Sequence, residues 1–170
     1  SAGLSLLLPP AVPGLKFDQE IMNLQSQGVD GAIIIGPTPL RKQVVSLIDN
    51  CGIPVVCADS YSAFTQASTV DRDNVTSMKI GVEHLVTQGH SRIMYFGSSP
   101  VYQCFVDRMR AFCEVKQDND LPVDENTVRI LEADRVPNLL KEVLSRDARH
   151  TAIVCADEPF GIVAWHTITS

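Results

Sequence analysis

The sequence predicts an α/β fold in which parallel sheets are flanked by helices. From about residue 15 onward, stretches with apolar residues at helical spacing alternate with short runs rich in Val and Ile, the pattern of repeated strand and helix units. The runs themselves, such as Ala32 to Ile35, lack the polar alternation of a half-exposed strand and read as buried on both faces. With 170 residues, 45% of them hydrophobic and 20% charged, the chain has enough apolar material for one large domain or two small lobes.

Taken in order, Leu4 to Pro10 reads as a strand stopped by two prolines, which can continue neither a strand nor a helix. Asp18 is placed to cap a helix carrying Ile21 and Leu24. Phe17 would sit before the cap against Met22, and Gly28 would end the helix in a left-handed conformation. The strand Ala32 to Ile35 follows, then Pro37 and Pro39, then a helix with Leu40, Val44, Leu47 and Ile48 on one face, ending before Gly52. A strand Ile53 to Cys57 ends at Ala58 and Asp59. The polar, small-residue stretch 61–69 reads as a segment crossing between lobes, which makes 1–60 part of an amino-terminal lobe and 70–170 part of a carboxy-terminal one. Beyond it the sequence predicts a helix from about Val75 to Gln88, a strand Ile93 to Phe96, and a helix carrying Phe105, Met109 and Phe112. A strand Val128 to Leu131, a helix carrying Leu139, Leu140, Val143 and Leu144, a strand Ala152 to Cys155, and a last helix from about Pro159 complete the series.

The net charge of -6 argues against a polyanion-binding surface, which needs clustered Lys and Arg. The densest basic stretch, Arg146 to Arg149, is interrupted by Asp147 and reads as a solvated helix end. The five cysteines form no CxxC pair and read as free thiols. Together with the lack of a cationic start followed by an apolar run and cleavage signal, they favour a cytoplasmic setting. No apolar run is long enough to span a membrane. No GxGxxG, GxxxxGK[ST] or GxSxG motif is present, and His84 and His90 lie six apart, off the spacing that puts two imidazoles on one helix face. Cys155, near Asp157 and His166, sits in an apolar strand that disfavours a thiolate. Neither catalysis, nor a metal, nor a cofactor is expected.

The stretch from Val70 to Ile93, VDRDNVTSMKIGVEHLVTQGHSRI, resembles the most distinctive segment of the lactose/galactose repressor (LacI/GalR) family, V-x-x-D-N...HL...GH-x-RI. Asn74 or Asp73 would cap its helix, Met78, Val82 and Leu85 would form the core stripe, and Gly89 would end it. Further pieces fall in the family's order: GVDGAIII from Gly28, GIPVVCAD from Gly52, DRMRAF from Asp107 and TAIVCADE from Thr151. The resemblance covers roughly residues 17 to 169. It implies a two-lobed fold like that of the periplasmic binding proteins, with the family's helix-turn-helix and parts of both lobes outside these residues, so that the fold is incomplete at both ends.

In open α/β sheets, ligands bind beyond the carboxyl ends of the strands. Those ends nominate Asp59, Gly97 to Ser99, Asp134 and Asp157. Carboxylates accept paired hydroxyls and a guanidinium forks across two oxygens, as a sugar or nucleoside requires. By the resemblance, Arg108 would be the central ligand-binding cation, Asp59 a hydroxyl acceptor and Asp157 a polar contact from the other lobe. Cys104 falls where relatives often place a small polar contact, and Arg135 near where others place an aromatic platform. Structural readings stand beside these: Asp59 and Asp157 as caps, Arg108 paired with Asp107, His90 as a turn residue, Tyr61 and Phe64 either lining a cleft or buried in the crossing segment. Trp165, Ile162 and Ile168 read as a packing stripe, including a dimer surface. The resemblance implies a sensor of a sugar, nucleoside or purine-like effector, homodimeric, reaching operator DNA through a helix-turn-helix outside this chain. A sugar-binding protein of a transport system shares the fold and is the alternative.

Overall fold

A computed structural model of the chain describes residues 3, 5–8, 17–36, 42–59, 66–145 and 150–170. Elements alternate in the order α1 (Phe17–Ser26), β1 (Ala32–Ile35), α2 (Lys42–Asp49), β2 (Val55–Ala58), β3 (Ser68–Val70), α3 (Asn74–Thr87), β4 (Ile93–Gly97) and α4 (Gln103–Asp118). Then come β5 (Val128–Ile130), a 3-10 turn (Ala133–Arg135), α5 (Val136–Ser145), β6 (Ala152–Cys155) and α6 (Glu158–Thr169). The strands form two sheets, β1-β2-β3 and β5-β4-β6, with every pairing parallel. The predicted α/β class with parallel sheets and flanking helices is what the chain adopts.

The second sheet is covered on both faces, because its central strand alternates two apolar sets. Ile93 and Tyr95 of β4 meet Met78 and Val82 of α3 and Ala111, Phe112 and Val115 of α4. Met94 and Phe96 point the other way, against Val136 and Leu140 of α5 and Phe160 and Ala164 of α6. Each such large side chain, fully buried, contributes about 1.5–3 kcal/mol. Tyr95 also stacks obliquely on Phe112, ring centroids 5.2 Å apart.

The first sheet is covered on one face. Val44 and Ile48 of α2 pack with Cys51, Val55 and Cys57, and Ala32 and Ile34 join them from β1. The expectation of two-sided burial for β1 fails there: Ile33 and Ile35 are 68% and 81% exposed. A run of Ile reports what a strand is able to bury, whereas exposure also depends on what lies above it. β3 is a second difference. Of the stretch read as a crossing segment, residues 61–65 lie outside the described residues, while Ser68 and Thr69 pair with Val56 and Cys57 of β2. The chain therefore leaves the first sheet after Val70, later than its polar composition suggests.

Smaller expectations near the start of the chain also shift. α1 is described from Phe17, and Met22 is 61% exposed; the Asp18 and Phe17 side chains, on which the expected cap and staple turn, lie outside what the structure describes. Gly28 does take the left-handed conformation, φ +67°. Among the described residues, 5–8 form no strand, and Leu6, Leu7 and Leu8 are exposed. Leu4, Pro9 and Pro10, the Pro37 to Leu40 turn, Tyr61, Phe64 and the Arg146 to Arg149 stretch lie outside the described residues. Among the described residues no helix is long and apolar enough to cross a membrane.

Candidate functional site

The start of α3 settles which of two adjacent residues is the cap. Asp73 takes that role, its carboxylate accepting from the Thr76 amide at 2.9 Å. Asn74, one position on and turned by about a third of a helical turn, is thereby free to point inward, where it is buried. Its Oδ1 accepts two hydrogen bonds from Arg108, from Nε at 2.9 Å and Nη2 at 2.7 Å. The third arm, Nη1, donates to the Ala156 carbonyl at 2.8 Å. Arg108 is 9% exposed, stands on the inner face of α4, and lies 5.8 Å from the Phe105 ring centroid. It does not pair with Asp107, whose Oδ1 instead accepts from Gln103 and Arg110.

Around this guanidinium a cavity of about 520 Å³ opens beyond the carboxyl end of β6. Its polar wall includes Arg72, Asn74, Arg108, Asp157 and Glu158. Asp157 caps α6, accepting from the Phe160 amide at 3.5 Å, as its structural reading had it, and keeps its remaining acceptor capacity at the cavity rim. Asp59 enters from the first sheet: at φ +55°, just past β2, it accepts from Nε and Nη2 of Arg72 at 3.0 and 2.7 Å. Arg72 thus lines the cavity and ties it to the first sheet. Cys104, one turn ahead of Arg108, is half-buried. Burial pushes its thiol pKa up, Arg108 pulls it down, and the carboxylates of Asp59 and Asp71 push it up again.

Arg108 and Asp157 therefore line this cavity, Asp59 meets it through Arg72, Cys104 sits one helical turn from Arg108, and Arg135 is not on its wall. It lies exposed in the 3-10 turn beyond β5, which together with β6 flanks β4 at the sheet's two outer edges. Arg72, Asn74 and Tyr95 were not singled out as site residues. The signal for Asn74 was present, since two good capping residues in succession leave one without a cap to make. Tyr95 is fully buried, and its hydroxyl has no hydrogen-bond partner. Burial drives its pKa well above the ordinary phenol, and it feels the charges of Arg108 and Asp157.

The model for periplasmic binding proteins and the sugar-binding domain of the LacI family matches residues 5–170. The chain belongs to that family. Among curated relatives, the maltose regulon regulatory protein MalI of Escherichia coli K12 is 28% identical over 163 residues, 94% of this chain and 47% of MalI. A probable helix-turn-helix transcriptional regulator of Paenibacillus polymyxa, EndR, is 26% identical over 148 residues, 85% of this chain and 43% of that protein. The fold superposes on transcription regulator CcpA of Lactococcus lactis with a TM-score of 0.76 at 19% identity, covering 89% of this chain and 56% of that one. It matches the complex of the regulator CelR with cellobiose with a TM-score of 0.75 at 22% identity, covering 89% of this chain and 47% of that one. The chain thus spans about half the length of the regulators it matches.

Of the remaining residues weighed from sequence, Cys155 borders this cavity, while His84, His90 and His166 do not. His90 contacts the Thr151 hydroxyl at 3.0 Å, a turn role as read. All five cysteines are free, and burial followed by the Asp157 charge pushes Cys155 up to about 11, far from a reactive thiolate at neutral pH. Among the described residues no group of three or more His, Cys, Asp or Glu could hold a metal ion. A second cavity of about 520 Å³ between α5, α6 and β6 is lined mainly by apolar side chains such as Leu140, Ala164 and Trp165, and lacks the paired hydrogen-bonding groups of the first.

Proposed function

We propose that this chain is the effector-sensing and dimer-forming part of a LacI-type transcriptional repressor, and that the cavity around Arg108 receives a small polyhydroxylated effector, a sugar or a nucleoside. The observation that carries this reading is that groups tied to both sheets reach one cavity around a buried guanidinium. Asp59 from the first sheet arrives through Arg72, and Asp157 and the Ala156 carbonyl arrive from the second. Carboxylates and a fixed planar cation suit vicinal hydroxyls, and a ligand gripping groups from both sheets would change their relative angle. To regulate anything, it must bind one angle better than the other. The regulators among its relatives support this over a transport role, and no catalytic step is assigned to the site. Operator contact is assigned to a helix-turn-helix outside these residues, in the cytoplasm, and the exposed stripe Ile162, Trp165 and Ile168 on α6 is assigned to the partner copy.

Titration calorimetry of the protein against mono- and disaccharides, nucleosides and purines tests the proposal. Saturable binding of a sugar or nucleoside is expected, weakened at least tenfold by Asp59→Asn and by Arg108→Lys. Lys keeps the charge of Arg108 but loses its fork. Unchanged affinity in both variants would remove the assignment, as would a salt-sensitive nanomolar complex of this chain alone with DNA.

A further inference from the structure

At the opposite end of the second sheet, where its strands begin, lies another cavity of about 520 Å³ with a different character. Its charged wall is Arg92, Lys116, Asp124, Arg129, Glu142 and His150. Arg92 and His150 stand just ahead of β4 and β6, Arg129 is in β5, and Lys116 is on the inner face of α4. Lys116 is the anomaly of this core. It is 2% exposed, on the same helical face as Ala111, Phe112 and Val115, and its ammonium makes a single hydrogen bond, to the Ile93 carbonyl at 3.2 Å, with the Phe112 ring 5.7 Å away. An ammonium carries three donors. Arg129 repeats the pattern: Nη2 donates to Asn126 at 2.8 Å, while its buried Nε has no partner.

Of the two acids, Asp124 is held by its own loop. Its Oδ1 accepts from the Thr127 hydroxyl and the Asn126 amide, both at 2.8 Å. Glu142 is an exposed residue of α5. Lys116 and Arg129, each held by one hydrogen bond, and the exposed Arg92 therefore face the carboxylates of Asp124 and Glu142, with unfilled donors of Lys116 and Arg129 turned inward. Buried donors without acceptors are costly and uncommon in folded proteins, and a bound acceptor removes that cost. Met94, Leu139 and Val143 add an apolar wall.

We propose that this cavity binds a small phosphate monoester, its oxygens accepting from Lys116 and Arg129 and its carbon body resting on Met94, Leu139 and Val143. The site is separate from the cleft around Arg108, at the other end of the same strands, and a ligand there would act on the second sheet and α4 without entering the cleft. Burial and the charges of Lys116, Arg129 and Arg92 hold the His150 imidazole below its ordinary pKa, with Asp124 opposing them, so a bound phosphate should raise it.

That response supplies the test. The imidazole resonances of the protein's His84, His90, His150 and His166 are followed by NMR during titration with inorganic phosphate and then butyl phosphate, at constant ionic strength. A saturable shift confined to His150 is expected, with its pKa raised at saturation and butyl phosphate binding several-fold more tightly than inorganic phosphate. Arg129→Gln, which alters a partly exposed side chain, should weaken binding at least tenfold, as should Lys116→Met, and Arg108→Lys should leave it unchanged. Linear shifts shared by all four histidines, or unaltered binding in Arg129→Gln, would overturn the proposal. Equal affinity for the two phosphates would refute the role of the apolar wall.

Discussion

Replacing Asn74 with Ala removes two of the three hydrogen bonds that hold the Arg108 guanidinium, those from Nε and Nη2, and leaves the bond from Nη1 to Ala156. A hydrogen bond to a charged group contributes about 1.5–3 kcal/mol, and the two lost here share one acceptor atom, so they add incompletely. Stranding a buried charge by deleting its partner costs about 3–5 kcal/mol in other proteins, and the surviving bond places Asn74→Ala near the low end, about 3 kcal/mol. In urea, with a denaturant dependence of about 1–3 kcal/mol per molar, the unfolding midpoint followed by circular dichroism should fall by about 1–3 M. Arg108→Met removes the charge itself, so Asn74→Ala in that background should cost at least about 1 kcal/mol less than in the parent. A shift below about 1 kcal/mol in the single variant, or strict additivity in the double, would refute the reasoning.

Tyr95→Phe deletes a buried hydroxyl that has no partner and should stabilise the protein, by about 1 kcal/mol in thermal unfolding. A loss of stability would mean that the hydroxyl is satisfied in solution. Gly97→Ala would place a methyl carbon 2.6 Å from Cε1 of Tyr95 and 2.8 Å from its hydroxyl. Moving that packed ring should cost about 1–3 kcal/mol, visible as a lowered Tm that a smaller side chain at position 95 partly restores. The pH dependence centres on His150, whose pKa is depressed in the folded state by burial first and nearby cations second. Between that depressed value and about 6.5, the unfolded chain binds the extra proton, so stability must fall as the pH drops through this window. His150→Gln should flatten that slope in urea midpoints measured across it.

The order of elements was legible in the sequence because the second sheet is covered on both faces. Periodicity placed β4 and β6 within a residue of their observed ends, and α3 likewise, since apolar spacing and burial coincide there. β3 was hidden for the opposite reason. Ser68, Thr69 and Val70 are all exposed, so the strand is defined by its ladder to β2, which composition does not encode. The candidate site was legible in its proposed anchor and not in its wiring. Arg108 and Asp157 followed from strand ends and the family resemblance. That Asp59 would be met by Arg72, and Arg108 by Asn74 in place of Asp107, depends on contacts 13 and 34 residues apart that no local pattern carries.

Asp73 and Asn74 serve opposite sides of one turn. The first fixes the start of α3, and the second, through Arg108, fixes α4 and the Ala156 carbonyl at the entrance to α6. These three elements are pinned at one point and will move as a rigid unit. Just upstream, residues 71–73 are the described passage from β3 into that unit, and Arg72 reaches back from it to Asp59. Among the described residues, rotation of one sheet against the other draws on the backbone torsions of this passage. The Arg72–Asp59 ion pair that stiffens it is exposed and screened by salt, so the swing should loosen as ionic strength rises.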